Sequence, residues 1–337
     1  MAPERSERPI PAWRRWRTPI ALVIPLWLII IALAFVAALR LFAWDEIALF
    51  AILNTITIFL YLPTWPIAIV AVLGHRPALA GSAVVIYILQ IAFLAPELAA
   101  TQPLPAWTDT APTFRLLDGN VYNSNESMAG YIRQIETERP QLVTFGESIP
   151  RDVHQLRQSG ALAGLPHQFE VYGTDPFVFL IASRYPLRGT HVVYLYGRPL
   201  IVETTLVLPS GPQPLWVLHT IAPLPASFEQ WRAQLSTIAR LVRARGTNRL
   251  LVAGDFNATW GSKGFRSILD TGMTDAAATR GHALEMTWSQ EMPPLPPFTR
   301  IDHILTGPGV EVVRYATQDG PGSDHRDLIA TVAVRPY

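Results

Sequence analysis

Cysteine is absent from the 337 residues. Disulfides and thiolate metal sites are therefore excluded, while the redox compartment is left open. Lysine is nearly absent too: Lys263 is the single one, and arginine carries the rest of the positive side-chain charge. That bias reads as the base composition of the gene rather than as a device for binding phosphate. The formal net charge of +1 gives no reason to expect a broad polyanion-binding surface. There is no Gly-x-Ser-x-Gly nucleophile elbow, no His-Glu-x-x-His zinc helix and no Walker loop, and the eight histidines show no clustered metal-ligand spacing.

Charge is scarcest between Thr18 and Pro96, where the only charged side chains are Arg40, Asp45, Glu46 and Arg76. They divide the region into three apolar runs, Pro19 to Leu39, Ile47 to Leu73 and Ala78 to Ala95, each about long enough for a hydrocarbon core of about 30 Å. Three transmembrane helices are predicted. A cleaved signal peptide is the alternative for the first run, but its apolar stretch exceeds the usual roughly 7 to 15 residues and two more runs follow. Leu62-Pro63-Thr64-Trp65-Pro66 should bend the second span or make it re-entrant. Arg5, Arg8, Arg14, Arg15 and Arg17 precede the first span and place residues 1–18 in the cytoplasm. An odd number of crossings then puts the C-terminal part outside, a multi-pass cell-membrane protein with an extracytoplasmic domain.

Residues 101–112 are Pro-rich and read as an extended linker between a membrane region, 19–100, and a soluble domain, 113–337. That domain, roughly 225 residues long, can bury its own core. Its pattern is α/β, without internal repeats. Strands are predicted at Phe114 to Val121, Leu142 to Phe145, Phe177 to Ala182, Leu200 to Leu208, Leu215 to Leu218 and Leu250 to Ala253. A helix from Glu126 to Glu138 would carry Met128, Ile132 and Ile135 on one face. The strongest soluble helix is Ser227 to Arg245, with a Ser227/Gln230 capping box, an apolar stripe of Phe228, Trp231, Leu235, Ile238 and Val242, and Gly246 as its stop.

Polar side chains gather at the ends of these strands. Asn120 ends the first, Glu147 follows the second, His219 follows Leu215 to Leu218, and Asp255 with Asn257 follows Leu250 to Ala253. Arg300-Ile301-Asp302-His303 and Ser323-Asp324-His325-Arg326 come later. Such a set suits hydrolysis of a phosphodiester, an anion that repels nucleophiles and needs cationic stabilisation and a positioned water. Glu147 suits Mg²⁺, a hard ion preferring oxygen ligands, with the Asn120 amide assisting. Asp255 is suited to position or deprotonate water, and Asn257 to hydrogen-bond the water or a phosphate oxygen. His219 and His325 can donate to non-bridging oxygens, Asp302 can hold His325, and Asp324 can contribute to the metal or orient the same site. His303 should point away from Asp302 along a strand and is read as structural. Arg184, Tyr185, His282 and Trp288 are candidates for the cleft wall, the core or the surface.

In these strings, Gly254-Asp255-Phe256-Asn257, Ile301-Asp302-His303 and Ser323-Asp324-His325 above all, the chain resembles the endonuclease/exonuclease/phosphatase superfamily over about Pro112 to Val334. Asn120-Val121, Phe145-Gly146-Glu147-Ser148 and His219-Thr220 add to the likeness, and the membrane-anchored bacterial branch looks nearest. The resemblance implies a two-sheet α/β sandwich, a divalent metal, Mg²⁺ or Mn²⁺, on Asn120 and Glu147, and a catalytic cluster of Asp255, Asn257, Asp302 and His325. Phe145-Gly146 stands where many members have Leu-Gln. Tyr122 stands where many nucleases have Asp, which weakens a nuclease reading. His219-Thr220-Ile221-Ala222-Pro223 looks more like the loop of the lipid-acting branches. The expectation is a membrane-anchored metal-dependent phosphoesterase, with a lipid headgroup or envelope phosphoester slightly preferred to nucleic acid. An extracellular nuclease and a catalytically inactive membrane-tethered binding module are the alternatives.

Overall fold

The apolar runs at the start of the chain form helices whose outward faces remain apolar. A computed structural model describes residues 19–172, 178–291 and 295–336. Its first elements are α1 (Ile20–Phe42), α2 (Ala48–Thr55), α3 (Thr57–Leu60), α4 (Thr64–Leu73) and α5 (Pro77–Leu98). Leu28, Ile31 and Phe35 of α1 and Val85 and Ile88 of α5 are exposed, as expected of helices that face lipid. α1 and α5 are each long and apolar enough to cross a membrane, and the bent stretch between them brings the number of candidate spans to three if it counts as one.

That middle stretch bends by 80° between Ala48–Thr55 and Thr57–Leu73, ahead of the prolines expected to bend it. The cause is polar. Thr57 Oγ1 donates to the Asn54 carbonyl at 2.6 Å and accepts from Arg40, while the Asn54 amide turns to Asp45 at 3.1 Å. Pro63 is the N-cap of α4 and Pro66 sits in its first turn, where a missing N–H costs little. The linker contains a single 3₁₀ turn, Ala106–Asp109. It lies on the soluble domain, with Gln102 N donating to the Thr279 carbonyl at 3.1 Å.

The soluble domain comprises β1 (Thr113–Asn120), α6 (Ala129–Glu138), β2 (Leu142–Gly146), α7 (Pro150–Gln158), β3 (His167–Val171), β4 (Phe179–Ser183), β5 (Leu187–Leu195), β6 (Arg198–Leu208), β7 (Gly211–His219) and α8 (Phe228–Arg245). It continues with β8 (Leu251–Asp255), α9 (Lys263–Leu269), β9 (Thr274–Asp275), α10 (Ala276–Thr279), β10 (Asp302–Thr306), β11 (Val310–Asp319) and β12 (Arg326–Val334). The predicted strands are found with shifted ends: β1 ends at Asn120 rather than Val121, β8 starts at Leu251 and runs on to Asp255, and β7 is longer, starting at Gly211. Phe177 lies outside the described residues. α6 starts at Ala129 rather than Glu126 because Asn125 closes a turn, accepting from Ser127 N at 3.1 Å and donating to the Val121 carbonyl at 3.2 Å. Ser227 makes no side-chain cap; its hydroxyl donates to the Ala222 carbonyl at 2.7 Å.

The strands form two six-stranded sheets, ordered β11-β12-β1-β2-β4-β3 and β5-β6-β7-β8-β10-β9, packed face to face as an α/β sandwich. Strand alternation divides the core. Leu215 and Val217 of β7 and Leu251 and Ala253 of β8 join Leu116, Leu142 and Leu328 between the sheets. Trp216, Leu218 and Val252 point outward beneath Trp231, Leu235 and Ile238 of α8, and Ala51 of α2 enters that same cluster. α6 and α7 cover the other outer face through Tyr131, Ile135, Val153 and Leu156.

Each sheet contains one parallel pair, β1 with β2 and β7 with β8, and the ends of these pairs hold the sequence motifs. Gly254 lets β8 approach β7: its φ is +135°, and a Cβ there would meet the Leu218 carbonyl oxygen at 2.0 Å. Gly254→Ala should therefore destabilise the domain by on the order of 3 kcal/mol through backbone strain and overlap, seen as a lower apparent unfolding midpoint of the detergent-purified chain.

Candidate active site

Strand register builds the site. Asn120 lies opposite Gly146, one residue before Glu147. His219 lies opposite Asp255 across the parallel β7/β8 pair, and Asp302 lies opposite Asp255 across the antiparallel β8/β10 pair. His219, Asp255 and Asp302 thus form a row across three strands. His325 immediately precedes β12, which runs antiparallel to β1 and so starts at the same end.

Asp255 is the hub. Its Oδ1 accepts from Asn257 N at 2.7 Å. Its Oδ2 accepts from Asn120 Nδ2 at 3.2 Å and Asn257 Nδ2 at 3.3 Å, and lies 3.5 Å from His219 Nε2 and 3.8 Å from His325 Nε2. Glu147 Oε1 accepts from Asn120 Nδ2 at 2.9 Å and lies 3.7 Å from His219 Nε2, while Oε2 accepts from Asn123 N at 3.2 Å. Asp302 Oδ2 meets His325 Nδ1 at 2.9 Å. Ser323 braces this loop, donating to the Asn120 carbonyl at 2.6 Å and accepting from His325 N at 3.0 Å. Tyr122, Glu147 and Asn257 all adopt positive φ, 62°, 55° and 46°, so unfavourable backbone conformations collect at this mouth.

The predicted residues are therefore brought together, with one difference in orientation. Asp324 Oδ2 accepts from Trp288 Nε1 at 2.8 Å, and its other oxygen is 3.9 Å from His325 Nε2. Among the described residues, Asp255, Asp302 and His325 are the group with ligand atoms mutually within 4.8 Å. Of the four candidates for the cleft wall, Trp288 reaches the site through that contact. Tyr185 packs on the core beside Phe114, His282 pairs with Glu285, and Arg184 follows the buried end of β4. His303 points to the opposite side from Asp302, bonded to Asp275 Oδ2 at 2.8 Å and to the Ala258 carbonyl at 2.9 Å. The bracing by Ser323 and Asn123 had no signal in the sequence beyond their neighbourhood to the motifs.

Electrostatics follow from burial. Burial pushes the Asp255 carboxyl well above the usual carboxylate range; Asp302 and Glu147 add to this, and His325 opposes it. Burial lowers His219, more than the nearby Glu147 raises it. His325 would also be lowered by burial, but the charge and hydrogen bond of Asp302, with Asp255 and Asp324, outweigh this and raise it to about 10. At neutral pH the site thus presents a neutral imidazole at His219 and an imidazolium at His325. The oxygens of Glu147 and the Asn120 amide suit a hard divalent ion. Asp302 is already engaged by His325 Nδ1. As placed, Asn120 Oδ1 accepts from Tyr122 N at 3.1 Å; rotating the amide end for end would present oxygen to Glu147 without changing its shape.

A two-sheet sandwich with carboxylates, amides and imidazoles at one mouth defines the class of phosphoester-cleaving hydrolases that includes nucleases and phosphatases. The profile of the Endonuclease/Exonuclease/phosphatase family matches residues 120–325, and the chain belongs to that family. Family enzymes typically use divalent metals. No curated protein matches in sequence. Among solved structures, TDP2 of D. rerio complexed with single-strand DNA product is similar at 15% identity and a TM-score of 0.54, covering 66% of this chain and 99% of that one. The 3′ phosphatase NExo from Neisseria, bound to a product DNA hairpin, is 17% identical with a TM-score of 0.51, covering 64% and 98%. An endonuclease/exonuclease/phosphatase family protein from Bacteroides thetaiotaomicron is 15% identical with a TM-score of 0.51, covering 67% and 99%. At these identities the likeness establishes the fold.

Because the folded pKa of His325 exceeds its ordinary 6.5, its stabilising contribution is complete below about pH 6.5 and is lost as pH rises through about 10. In metal-free protein its ring should titrate near 10 by NMR of ¹⁵N-histidine. Asp302→Asn should move that midpoint down by more than one unit.

Proposed function

We propose that this protein is a membrane-anchored, divalent-metal-dependent phosphodiesterase acting on a lipid headgroup or another envelope phosphodiester. The observation that carries the catalytic part is the buried Asp255 carboxylate set between the two imidazoles, with Glu147 and Asn120 beside it. Mg²⁺ or Mn²⁺ held by Glu147 with the Asn120 oxygen would supply the positive charge that a phosphodiester anion needs.

The chain's own groups divide the remaining work. Asp255, raised by burial, is suited to take a proton from the attacking water, and Asn257 fixes the orientation of its carboxylate. The Nε2–H groups of His219 and His325 are suited to donate to the non-bridging oxygens as charge builds on phosphorus. Asp302 holds the His325 ring through Nδ1. Asp324, held by Trp288, fits the orienting role better than that of a metal ligand.

The near-neutral charge weighs against nucleic acid. The loop after the catalytic motif weighs toward lipid, since Trp44 Nε1, just beyond α1, donates to the Gly261 carbonyl at 2.7 Å. Glu97, at the end of α5, also meets the soluble domain. With α1 and α5 both ending against that domain, an odd number of crossings is favoured, and the arginines before α1 make its side extracytoplasmic.

The detergent-purified full chain should hydrolyse bis(p-nitrophenyl) phosphate with Mg²⁺ or Mn²⁺ and stop on adding EDTA. Asp255→Ala should lower kcat by a factor on the order of 10² or more. Chelator-insensitive turnover would overturn the metal reading. Absence of turnover on a panel of nucleic acids, lipids and activated esters would favour a binding module, and efficient cutting of duplex DNA without action on lipids a nuclease.

A C-terminal alkaline phosphatase fusion should be active in cells. An inactive, well-expressed fusion would place the site in the cytoplasm and remove the case for an envelope substrate.

A further inference from the structure

Glu97 is a buried carboxylate in the last turn of an otherwise uncharged helix, 8% exposed. Its partner is Arg300 Nη2, on a guanidinium only 3% exposed. Arg300 Nη1 donates to Asp275 Oδ2 at 2.6 Å. The same Asp275 oxygen meets His303 Nδ1 at 2.8 Å, and His303 Nε2 meets the Ala258 carbonyl at 2.9 Å. A chain of charge-assisted contacts thus runs from the membrane helix to two catalytic segments. Arg300 lies two residues before Asp302, and Ala258 follows Asn257.

A second grip acts on the same loop. Besides the Trp44 contact to Gly261, Asp45 accepts from Lys263 N and Asn54 Nδ2. Gly261 packs so closely that a Cβ would meet the Asn54 carbonyl oxygen at 2.1 Å. Ala51 lies in the core under α8. The membrane region therefore contacts the soluble domain behind both Asp302 and Asn257, through interactions that a tether alone would not need.

From this we infer that Glu97, acting through Arg300, is a positioning residue for catalysis, so that the end of the last membrane helix sets the placement of Asp302 and of the Asn257 loop. The inference rests on the phosphodiesterase reading for its effect on turnover, and on packing alone for its effect on order. Removing the Glu97 charge leaves one face of a buried guanidinium without its anion. Arg300 would then relax toward Asp275 and draw the start of β10 with it.

The test uses the full chain in detergent with Mn²⁺ and bis(p-nitrophenyl) phosphate, normalised to folded protein. Glu97→Gln should lower kcat by about 10-fold or more, as loss of a residue supporting the site does, with KM little changed, and Glu97→Asp should recover much of the loss. Amide hydrogen exchange should rise in segments 256–263 and 299–306 and stay unchanged in β5 and β6. Should Glu97→Gln fail to fold, Trp44→Phe keeps a smaller aromatic ring and removes the indole N–H that holds Gly261; it should raise exchange at 256–263 and lower kcat several-fold. Wild-type kcat and exchange in a folded variant would overturn the inference. If the wild-type chain itself does not turn over, the phosphodiesterase reading fails, and exchange alone decides whether Glu97 orders these segments.

Discussion

The hardest electrostatic problem in this molecule is the crowding of Glu147, Asp255 and Asp302 at one mouth of the sandwich. Like charges at this range repel, and burial strengthens the repulsion. The mouth answers with Asn120 and Asn257 donating to Asp255, with His219 facing both Glu147 and Asp255, and with His325 seated on Asp302. Burial, with Asp302 and Glu147 behind it, raises Asp255, and the charge and hydrogen bond of Asp302 raise His325 against burial. Glu147 and Asn257 both sit at positive φ, where a residue with a side chain is strained. A mouth so rich in oxygen donors is better disposed to a cation together with phosphate than to phosphate alone, which is why the functional reading pairs a divalent ion with the acids and leaves proton handling to Asp255 and the imidazoles.

The same electrostatic reasoning joins the two regions of the chain. Arg300 can be buried because Asp275 and Glu97 meet it from two sides. Ala51 in the core beneath α8, and Gly261 closed over the Asn54 carbonyl, add packing to the charge. The apolar helices and the sandwich therefore share buried structure, although composition alone divides them into an anchor, a linker and a catalytic domain.

Much of the architecture was legible because its cause is local. Long apolar runs imply apolar helices, alternation and turn residues mark β1, β2, β6, β7 and β8, and the stripe on α8 matches the face buried against Trp216 and Leu218. The order of Asn120, Glu147, His219, Asp255, Asp302 and His325 announced one site because polar residues at successive strand ends share an end of the sandwich. Other features were not legible. A break was expected at Pro63 and Pro66, and one falls just before α4 at Pro63, but the 80° bend comes earlier, at Asn54 and Thr57, where Thr57 Oγ1 takes the Asn54 carbonyl and Arg40 and Asp45 hold the Thr57 and Asn54 side chains.

Chain composition and motif order thus determined the class of the molecule: apolar helices, then an α/β sandwich with a carboxylate–imidazole–amide mouth. Tertiary structure alone decided which groups touch. It put His219, Asp255 and Asp302 in one row, turned Asp324 to Trp288, and set Glu97 on Arg300 across 203 positions of sequence. The physical reason is range. Propensity and periodicity report the few neighbours along the chain, whereas register and ion pairing depend on residues that meet only once the sheets have packed.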